Sequence, residues 1–499
     1  MVKRFNSRIL YVLLLGMLGV GILKSQTRND SLQVSIETGS IISSQKFNSF
    51  YLVHNRWGTV SNSQRFFFAG SLDISRQLSE NWQVEAKIGF RNENLYQANL
   101  GLSWKQFHLN AGRRKRILGG IEQNILTSGS LALGANSLPI PQIDLESDYI
   151  NFPFSKGLVK VKGGISQGWF ENDRYIRSSR LHQKYAKVMI DLDAEIGFRG
   201  YGSLIHFAQY GGTSLLGEKQ PSSLNDFLKV FFGKGANPSG SGENNGLGNH
   251  LGITEFGFDQ KIGNYLLQVN YQKPFEDQGS IQPISFKDFL LGIQLVFPDK
   301  SKLKKIYFEW VRTMSQSGPG LPDSTDEYPS REDNFGYEIG GRDDYYNNWL
   351  YQYGWTYKGN VMSNPLFLTY NWALNFLPAF PNYENQVINN RLNAFHIGML
   401  CEPKEGLNLR FMITYSKNYG TYAGLYEGRF AWDGIQTNPD FEYVFLGGKN
   451  QFYSLLEMIK ETTLFRKPVR FKSILAVDAG QLYNNTGMEL AVEFMLKSY

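Results

Sequence analysis

The chain has 499 residues, with 51 Lys and Arg against 45 Asp and Glu and a formal net charge of +6. Basic residues precede an almost wholly apolar run at 9–23, which is typical of a secretory signal peptide, and we expect cleavage after Ser25. Four basic residues lie within residues 1–25, so their removal lowers the net charge to +2. This balance, without a strongly basic domain, excludes nucleic acid as the expected partner.

The rest of the chain carries no apolar run long enough for a transmembrane helix, because polar residues interrupt it every one or two positions. Aromatic residues make up 15% and glycine 51 positions, which is typical of strands with one apolar and one wet face. The single cysteine, Cys401, excludes an internal disulfide, and we interpret it as a small apolar strand residue. We predict a signal peptide (1–25) followed by one barrel domain with long extracellular loops (26–499).

Several segments alternate apolar residues with polar or charged ones. Residues 82–91 are the first clear example, and the same period of two returns at 187–196, at 409–416 and at the end of the chain, 488–497. A soluble β-sandwich also alternates. A bacterial outer-membrane barrel in addition alternates short periplasmic turns with long extracellular loops.

The predicted connections fall into these two kinds. The short ones are 79–81, 153–157, 197–200, 260–263, 298–303, 358–363 and 402–405. The long, polar ones are 211–249, 273–285, 315–348, 375–390 and 418–448. Their order predicts an all-β fold, a transmembrane outer-membrane β-barrel of about 18 antiparallel strands, with a range of roughly 16–20.

Two long segments show little alternation. Residues 116–144 contain paired glycines and a Pro-Ile-Pro sequence, and we interpret them as a loop that can fold into the lumen as a constriction. Residues 233–249 are rich in Gly, Asn and Ser, which is typical of a mobile surface loop.

Arg113, Arg114, Lys115 and Arg116 form the sharpest basic cluster, at the end of a predicted strand. Alternation sends the first and third of these residues to one side and the other two to the opposite side. One pair can line the lumen or its mouth and attract an acidic polymer, since guanidinium groups bind carboxylates through two parallel hydrogen bonds. A solvated strand end at the headgroup boundary is an equal alternative.

Aromatic residues concentrate beside Asp and Asn in two predicted extracellular regions. Sugars stack on aromatic faces while Asp and Asn bind their hydroxyl groups, so these regions are candidates for saccharide binding. An aromatic girdle at the membrane interface requires the same residue types and stays an alternative. The candidates are Asp344, Tyr345, Tyr346, Asn347, Trp349, Tyr422 and Trp432.

Catalytic and metal-binding motifs are not evident in the sequence. The six histidines are scattered without the spacing that metal sites use, and we predict no metal and no cofactor. An outer-membrane hydrolase stays an alternative, because catalytic residues on distant strands leave no characteristic spacing.

Several patterns, taken in their order along the chain, together resemble the Wzi capsule assembly family, and in particular its Bacteroidetes-type members. They lie at 112–115, Gly119, 126–133, Asn136, 139–141, 344–348, 354–359 and 364–366. The resemblance implies an 18-stranded outer-membrane barrel that acts as a lectin and organises surface polysaccharide. Enterobacterial members also carry periplasmic helices, and no long amphipathic helix is evident here.

The leading hypothesis is therefore a non-enzymatic barrel in the outer membrane of a Gram-negative bacterium. It would bind capsular or exopolysaccharide through extracellular loops and a basic, aromatic mouth, with surface polysaccharide and outer-membrane lipid as its partners. The alternatives are a channel for small solutes or oligosaccharides and, third, an outer-membrane hydrolase.

Overall fold

The structure is a computed structural model. It describes residues 30–234, 246–276, 286–316, 344–348, 350–377, 386–421, 444–464 and 466–498. The expected signal peptide lies outside these residues, as does most of the glycine-rich segment predicted at 233–249.

One closed antiparallel sheet forms a barrel of 18 strands, which confirms the predicted fold class. The last strand pairs with the first from Leu32↔Ser498 to Ser43↔Gly487, and this pairing closes the cylinder. The strands are β1 (Ser31–Ser43), β2 (Phe66–Gln77), β3 (Trp82–Arg91), β4 (Asn94–Trp104), β5 (Phe107–Arg113), β6 (Pro141–Ser147, continued by Ile150–Asn151), β7 (Val159–Trp169), β8 (Arg180–Leu192), β9 (Phe198–Tyr210), β10 (Asn249–Ile262), β11 (Tyr265–Phe275), β12 (Asp288–Val296), β13 (Leu303–Thr313), β14 (Leu392–Lys404), β15 (Leu407–Asn418), β16 (Lys449–Leu464), β17 (Lys467–Gly480) and β18 (Asn485–Ser498).

The alternation in the sequence decides which side chains meet lipid. On β18, Leu490 and Phe494 are exposed, whereas Glu489 is fully buried and faces the lumen. Residues paired across neighbouring strands lie on the same side of a sheet, so the register extends this assignment around the barrel. Glu489 is paired with Ile474 of β17 and with Ile41 of β1, and both of these side chains are buried inside.

Most connections follow the predicted alternation in length, and the exceptions are two short extracellular ones, 92–93 and 481–484. The C-terminal strand of a bacterial barrel ends in the periplasm, which assigns every second connection to that side. The periplasmic connections are 78–81, 105–106, 152–158, 193–197, 263–264, 297–302, 405–406 and 465–466. The extracellular connections are 44–65, 92–93, 114–140, 170–179, 211–248, 276–287, 314–391, 419–448 and 481–484.

One predicted turn is wrong. The segment 358–363 is not periplasmic, because it belongs to the single extracellular connection between β13 and β14. There Thr356–Tyr357 pairs with Asn360–Val361 in a small hairpin outside the barrel sheet. Its residues resemble a membrane strand in composition, but both Thr356 and Tyr357 are buried, so the two faces meet protein rather than lipid and water.

Among the described residues, three extracellular connections supply most of the loop side chains that pack inside the barrel. We call these connections the plug: residues 44–65, 114–140, and the described part of 344–391. Their buried residues, among them Leu52 and Leu131, share one hydrophobic core with lumen-facing wall residues. The inward course predicted for 116–144 is confirmed up to residue 140, and the last four residues of that range belong to β6.

The helices are short. They are α1 (Phe50–Val53), α2 (Asp193–Ile196), α3 (Leu224–Phe232) and α4 (Tyr370–Ala373). No helix among the described residues is long and apolar enough to cross a membrane. The helices α1 and α4 lie in the plug, α2 lies in a periplasmic turn, and α3 belongs to the connection between β9 and β10.

Candidate functional site

The predicted basic cluster lies where β5 ends and the plug begins. Arg114 Nη2 donates to Asp144 Oδ2 at 2.8 Å and to Glu146 Oε1 at 2.7 Å, both on β6. Arg116 Nη1 donates to Ser166 Oγ at 2.8 Å. These wall residues face the lumen, so Arg114 and Arg116 anchor the plug to the barrel rather than forming a solvated strand end.

The other two residues of the cluster, Arg113 and Lys115, contact different parts of the molecule. Arg113 Nη1 donates to the carbonyl oxygen of Pro139 at 2.7 Å, and its Nη2 donates to the hydroxyl of Tyr357 at 2.9 Å. Lys115 Nζ lies 4.3 Å from the ring centroid of Tyr96, which is a cation–π contact. The alternation expected for the cluster therefore ends with β5, since Arg113 joins the plug and Lys115 reaches a β4 side chain.

Of the predicted saccharide-binding residues at 344–347, the last three are buried within the plug and Asp344 is half-buried. Asp344 accepts hydrogen bonds from Asn347 Nδ2 at 3.1 Å and Asn390 Nδ2 at 2.5 Å, and burial raises the pKa of Asp344 to about 6. The hydroxyl of Tyr346 donates to the Leu131 carbonyl at 3.0 Å. Tyr345 is 2% exposed. Their contact with polysaccharide stays a prediction, and their present partners hold the plug together.

Asn347 closes a similar pair of bonds. Its Nδ2 donates to the Val387 carbonyl at 2.7 Å, and its Oδ1 accepts from the Val387 backbone nitrogen at 3.1 Å. It thereby ties the two described ends of the third plug segment to each other. Trp349, Tyr422 and Trp432 lie outside the described residues.

The segments that carry the family resemblance meet one another in the plug. Asn364 Nδ2 donates to Ser128 Oγ at 2.9 Å, which joins 364–366 to 126–133. Asn136 Nδ2 donates to the Val361 carbonyl at 3.0 Å. Patterns more than two hundred residues apart in sequence thus form one packed structure.

Glu309 of β13 is the wall residue on which this structure converges. It is fully buried and accepts hydrogen bonds from the hydroxyls of Thr127, at 2.6 Å, Tyr307, at 2.7 Å, and Ser128. A buried carboxylate is stable when several donors satisfy it, so these hydroxyls allow Glu309 to fasten the second plug segment. Sequence analysis missed Glu309, whose available signal was a charge on the lumen face of a strand.

His396 of β14 adds a second attachment point. Its Nε2 lies 2.5 Å from the Leu126 carbonyl, which can only accept, so Nε2 carries the proton. Its Nδ1 then accepts from the hydroxyl of Thr414 at 2.7 Å. Tyr51 of α1 joins the same group through its hydroxyl, 3.3 Å from Nδ1. Two plug segments therefore share this histidine.

One part of the plug reaches the extracellular surface. Lys358 stands at the hairpin turn, with φ near +51°, and its Nζ lies 3.0 Å from Asp173 Oδ1 in the connection between β7 and β8. This hydrogen bond lowers the pKa of the Asp173 carboxyl. Both side chains are exposed, and half-buried Tyr353 lies nearby, 5.6 Å from the Arg174 guanidinium. We call Asp173, Tyr353 and Lys358 the plug tip.

Arg174 fixes the geometry of the plug tip from below. Its Nη1 and Nη2 donate to the carbonyls of Thr356, at 3.0 Å, and Gly354, at 3.1 Å. The guanidinium also lies 4.2 Å from the Phe170 ring centroid. Gly354 has φ +52°, and an added Cβ would lie 2.1 Å from the Tyr346 carbonyl oxygen, so only glycine permits this close approach.

Comparisons with known proteins agree with this architecture. The solved structure of Wzi from Escherichia coli superposes with a TM-score of 0.52 at 13% identity, over 99% of this chain and 89% of that one. It is described as an outer-membrane protein involved in group 1 capsule assembly and as a carbohydrate-binding β-barrel.

More distant barrels are also similar. OccK5 from Pseudomonas aeruginosa has a TM-score of 0.45 at 9% identity, over 94% of this chain and 98% of that one. OccAB4 from Acinetobacter baumannii has a TM-score of 0.44 at 9% identity, over 95% and 100%. No curated protein matches the chain.

The family model described as capsule assembly protein Wzi matches residues 54–367. That range includes all three plug segments in whole or in part, with the patterns that meet in the lumen. The chain is a Gram-negative outer-membrane β-barrel, and it belongs to the Wzi capsule assembly protein family.

Proposed function

We propose that this protein binds capsular or other surface polysaccharide and organises it at the cell surface without catalysing a reaction. One observation carries the proposal: in a chain of the Wzi family, extracellular connections are packed into the lumen and expose an aromatic, charged tip. The E. coli member is a carbohydrate-binding barrel, and we extend that property to this chain.

The plug tip has the chemistry for saccharide contact. The Tyr353 ring can stack on a sugar face, the Asp173 carboxylate can accept from sugar hydroxyls, and the Lys358 ammonium can pair with the carboxylate of an acidic sugar. We keep Trp349, Tyr422 and Trp432 as further contacts, since aromatic residues in extracellular connections suit the same ligand.

The predicted site residues inside the plug would support the plug tip rather than contact polysaccharide. Arg113 donates a hydrogen bond to the hydroxyl of Tyr357, which lies beside Lys358 in the hairpin. The backbone nitrogen of Trp355 donates to the Tyr346 carbonyl at 2.9 Å. We therefore assign Arg113, Tyr345, Tyr346, Asp344 and Asn347 to positioning the tip. Arg114 and Arg116 would keep the plug seated on the wall, and Lys115 would do so through Tyr96.

Binding rather than catalysis fits the contacts of His396, the histidine that attaches the plug to β14. One ring nitrogen of His396 is hydrogen-bonded to the Leu126 carbonyl and the other to the Thr414 hydroxyl. A general base needs a ring nitrogen within reach of a substrate proton, and both nitrogens here have protein partners.

The test is polysaccharide retention on cells that express the double variant Tyr353→Ala, Lys358→Ala. We expect a several-fold loss of cell-bound polysaccharide at unchanged protein level in the outer membrane. Lys300→Ala is the matched control, because Lys300 is an exposed lysine in a periplasmic turn. Equal retention by the double variant and the control, with both barrels heat-modifiable on gels, would refute the plug tip as the binding surface.

A second measurement separates binding from assembly. Purified protein in detergent micelles should retain the cell's own polysaccharide on a column, and the double variant should not. If the wild-type protein itself fails to retain it while an intact barrel is present, the proposed function is wrong whatever the cells show.

A further inference from the structure

The helix α3 lies on the outer wall of the barrel rather than in the plug. Its Val230 is buried against Ala208 and Tyr210 of β9, with Phe227 packed beside them. In β9 the odd-numbered residues from Phe207 down to Arg199 pair with lumen-facing residues, so the even-numbered Ala208 and Tyr210 face outward. The part of the connection that forms α3, residues 224–232, therefore lies outside the lumen.

The wall beneath α3 is polar where a barrel's outer face is otherwise apolar. His182 and Lys184 of β8 and His206 of β9 all face outward at this height. Polar groups on a lipid-facing wall are costly unless protein covers them. The helix supplies the cover, since His182 is fully buried and its ring lies 5.3 Å from those of Phe227 and Phe231.

Helix α3 is held there at both ends. At its start, Ser223 and Asp226 form a capping box, with the Ser223 backbone nitrogen 2.9 Å from Asp226 Oδ2. At its end, Lys184 Nζ donates to the Phe231 carbonyl, which places a cation at the negative end of the helix dipole. These contacts fix both ends of the nine-residue helix on the outer wall.

A second apolar face of α3 is exposed. Leu224 is 76%, Leu228 47% and Phe232 65% exposed. At 100° per residue these three side chains span an arc of about 80°, next to the face that packs on the wall. The polar residues Asn225 and Lys229 continue the arc on the other side. Wall, apolar face and polar face thus follow one another around the helix.

The exposed face continues the lipid-facing surface of the barrel. On β8 and β9 the outward residues Val188 and Leu204 are exposed, and they lie nearer the periplasm than Lys184 and His206 under α3. Exposed Ile165 of β7 pairs with Lys184 and lies at the same level. A barrel's apolar band is about 25 Å tall, and tilted strands cross it in roughly 10 residues. Counted from the periplasmic end of β8 at Leu192, that band ends close to His182, so α3 lies at the outer boundary.

Basic residues surround the polar side of the helix. Lys219, Lys229 and Lys234 lie in or beside it, and Arg180 approaches the Ser222 carbonyl at 3.4 Å. Two acids lie beside them, Asp226 in the capping box and exposed Glu218 next to Lys219. Four basic residues against two acids leave the rim with excess positive charge at the height of anionic headgroups.

We propose that α3 is an interfacial helix of the outer leaflet, which inserts Leu224, Leu228 and Phe232 among acyl chains while Lys229 and Lys234 bind lipid phosphate groups. This occupant fits both the apolar arc and its basic border, as amphipathic helices at membrane interfaces do. The contact would fix the height of the extracellular surface relative to the membrane, and it is independent of polysaccharide binding.

The test uses single cysteines in a Cys401→Ser background, labelled with an environment-sensitive fluorophore. The positions are Leu228→Cys on the apolar face, Asn225→Cys on the polar face, and Val188→Cys as the reference for full lipid exposure. In phosphatidylcholine vesicles containing lipid A, brominated acyl chains should quench the probe at 228 nearly as strongly as at 188. Quenching at 228 no greater than at 225 would overturn the proposal.

A separate experiment tests the contacts of Lys229 and Lys234 with lipid phosphate. Lipid A should increase quenching at 228 over that in phosphatidylcholine alone, and Lys229→Gln with Lys234→Gln should abolish the increase. Equal quenching in the two vesicles would overturn the phosphate part. Inorganic phosphate at matched concentration should not reduce quenching. A reduction would assign the basic rim to free phosphate rather than to a lipid headgroup.

Discussion

Two long extracellular connections of this barrel take opposite courses. Residues 114–140 enter the lumen, where Leu131 is fully buried, whereas the described part of 211–248 lies along the outer wall as α3. Both begin at the extracellular end of a strand, and both contain apolar residues that need cover. Their own composition therefore does not explain the difference.

The strands beneath each connection do explain it. Lumen-facing acceptors meet the inward loop: Glu255 Oε2 accepts from the Gly120 nitrogen at 2.5 Å, and Gln272 Oε1 accepts from the Leu131 nitrogen at 2.9 Å. At the other connection, outward-facing Lys184 donates to the Phe231 carbonyl of α3. A buried polar group is stable only with a partner, so polar wall residues select the side on which a loop packs.

The largest effect on the inward loop should come from Glu309→Ala. The substitution leaves the hydroxyls of Thr127, Ser128 and Tyr307 without their buried acceptor, at a cost of about 5 kcal/mol. Amides at 126–131 should then exchange hydrogen roughly five-thousandfold faster, and planar bilayers should show a new ion current. Glu309→Gln keeps an acceptor oxygen and should have a smaller effect.

Glu85→Ala is the control for that substitution. Glu85 is also a lumen-facing acid, but its ion-pair partner is Lys87 on the same strand, at 2.8 Å. Equal exchange at 126–131 in the Glu309 and Glu85 variants would contradict the role of Glu309 as the plug's fastening point.

The first plug segment should respond asymmetrically to loss of its ion pair. Arg56 binds Glu489 through two bonds, at 2.5 and 2.9 Å, while Arg91 and Lys472 lie 3.6 and 3.5 Å from the same carboxylate. Glu489→Gln leaves Arg56 and Arg91 without their acid, while Lys472 keeps Glu37 and Glu457 at 3.9 Å, and it should cost about 4 kcal/mol. Arg56→Ala leaves Arg91 and Lys472 near the acid and should cost less, about 2 kcal/mol.

Urea unfolding of the two variants, followed by heat-modifiability on gels, measures this difference. The double variant should be less destabilised than the sum of the singles, because the two residues interact directly. A larger cost for Arg56→Ala than for Glu489→Gln would show that the buried acid depends on Arg56 more than the cations depend on the acid, which contradicts the expected order.

The third plug segment should be pH-sensitive through Asp344. Its pKa is raised from 3.8 to about 6, so the packed plug binds this proton more tightly than the opened one. Stability of the packed form is therefore greatest below pH 3.8, falls as the pH rises to about 6, and is level above it, a total of about 3 kcal/mol.

Hydrogen exchange at 344–348, corrected for the intrinsic rate at each pH, measures the effect. Protection should be higher at pH 4 than at pH 8, and Asp344→Asn should remove the dependence. Protection that increases with pH in the wild-type protein would contradict a proton bound by the packed plug.

The comparison also shows which features the sequence could predict. Strands such as β3 and β18 were predictable because lipid on one side and water on the other impose a period of two. The hairpin at 356–361 was not, since protein surrounds both of its faces and its composition matches a membrane strand. The contacts of Glu309 were beyond reach, because its partners lie about 180 residues away and come together only in the lumen.

The helix α3 is a different case. The signals were present in the sequence: Ser223 three residues before Asp226, apolar residues at helical spacing, and Gly233 at the end. They lay within 211–249, which was predicted as one of the long, polar extracellular connections. The saccharide candidates at 344–347 illustrate the opposite difficulty, because the same aromatic and amide groups serve buried packing as well as sugar binding.

The smallest predicted effect concerns the docking of α3 on the outer wall. Lys184→Met keeps the length of the side chain but removes both the hydrogen bond to the Phe231 carbonyl and the cation 4.1 Å from the Phe231 ring. The loss should weaken docking of α3 by about 1 kcal/mol. Amides at 227–232 should exchange about fivefold faster, while those at 126–131 stay unchanged. Lys219→Met, an exposed lysine before the helix, is the control and should leave both regions as they are. Faster exchange in the plug instead would mean that the two connections are coupled through the wall, and that polar wall residues do not select a side independently.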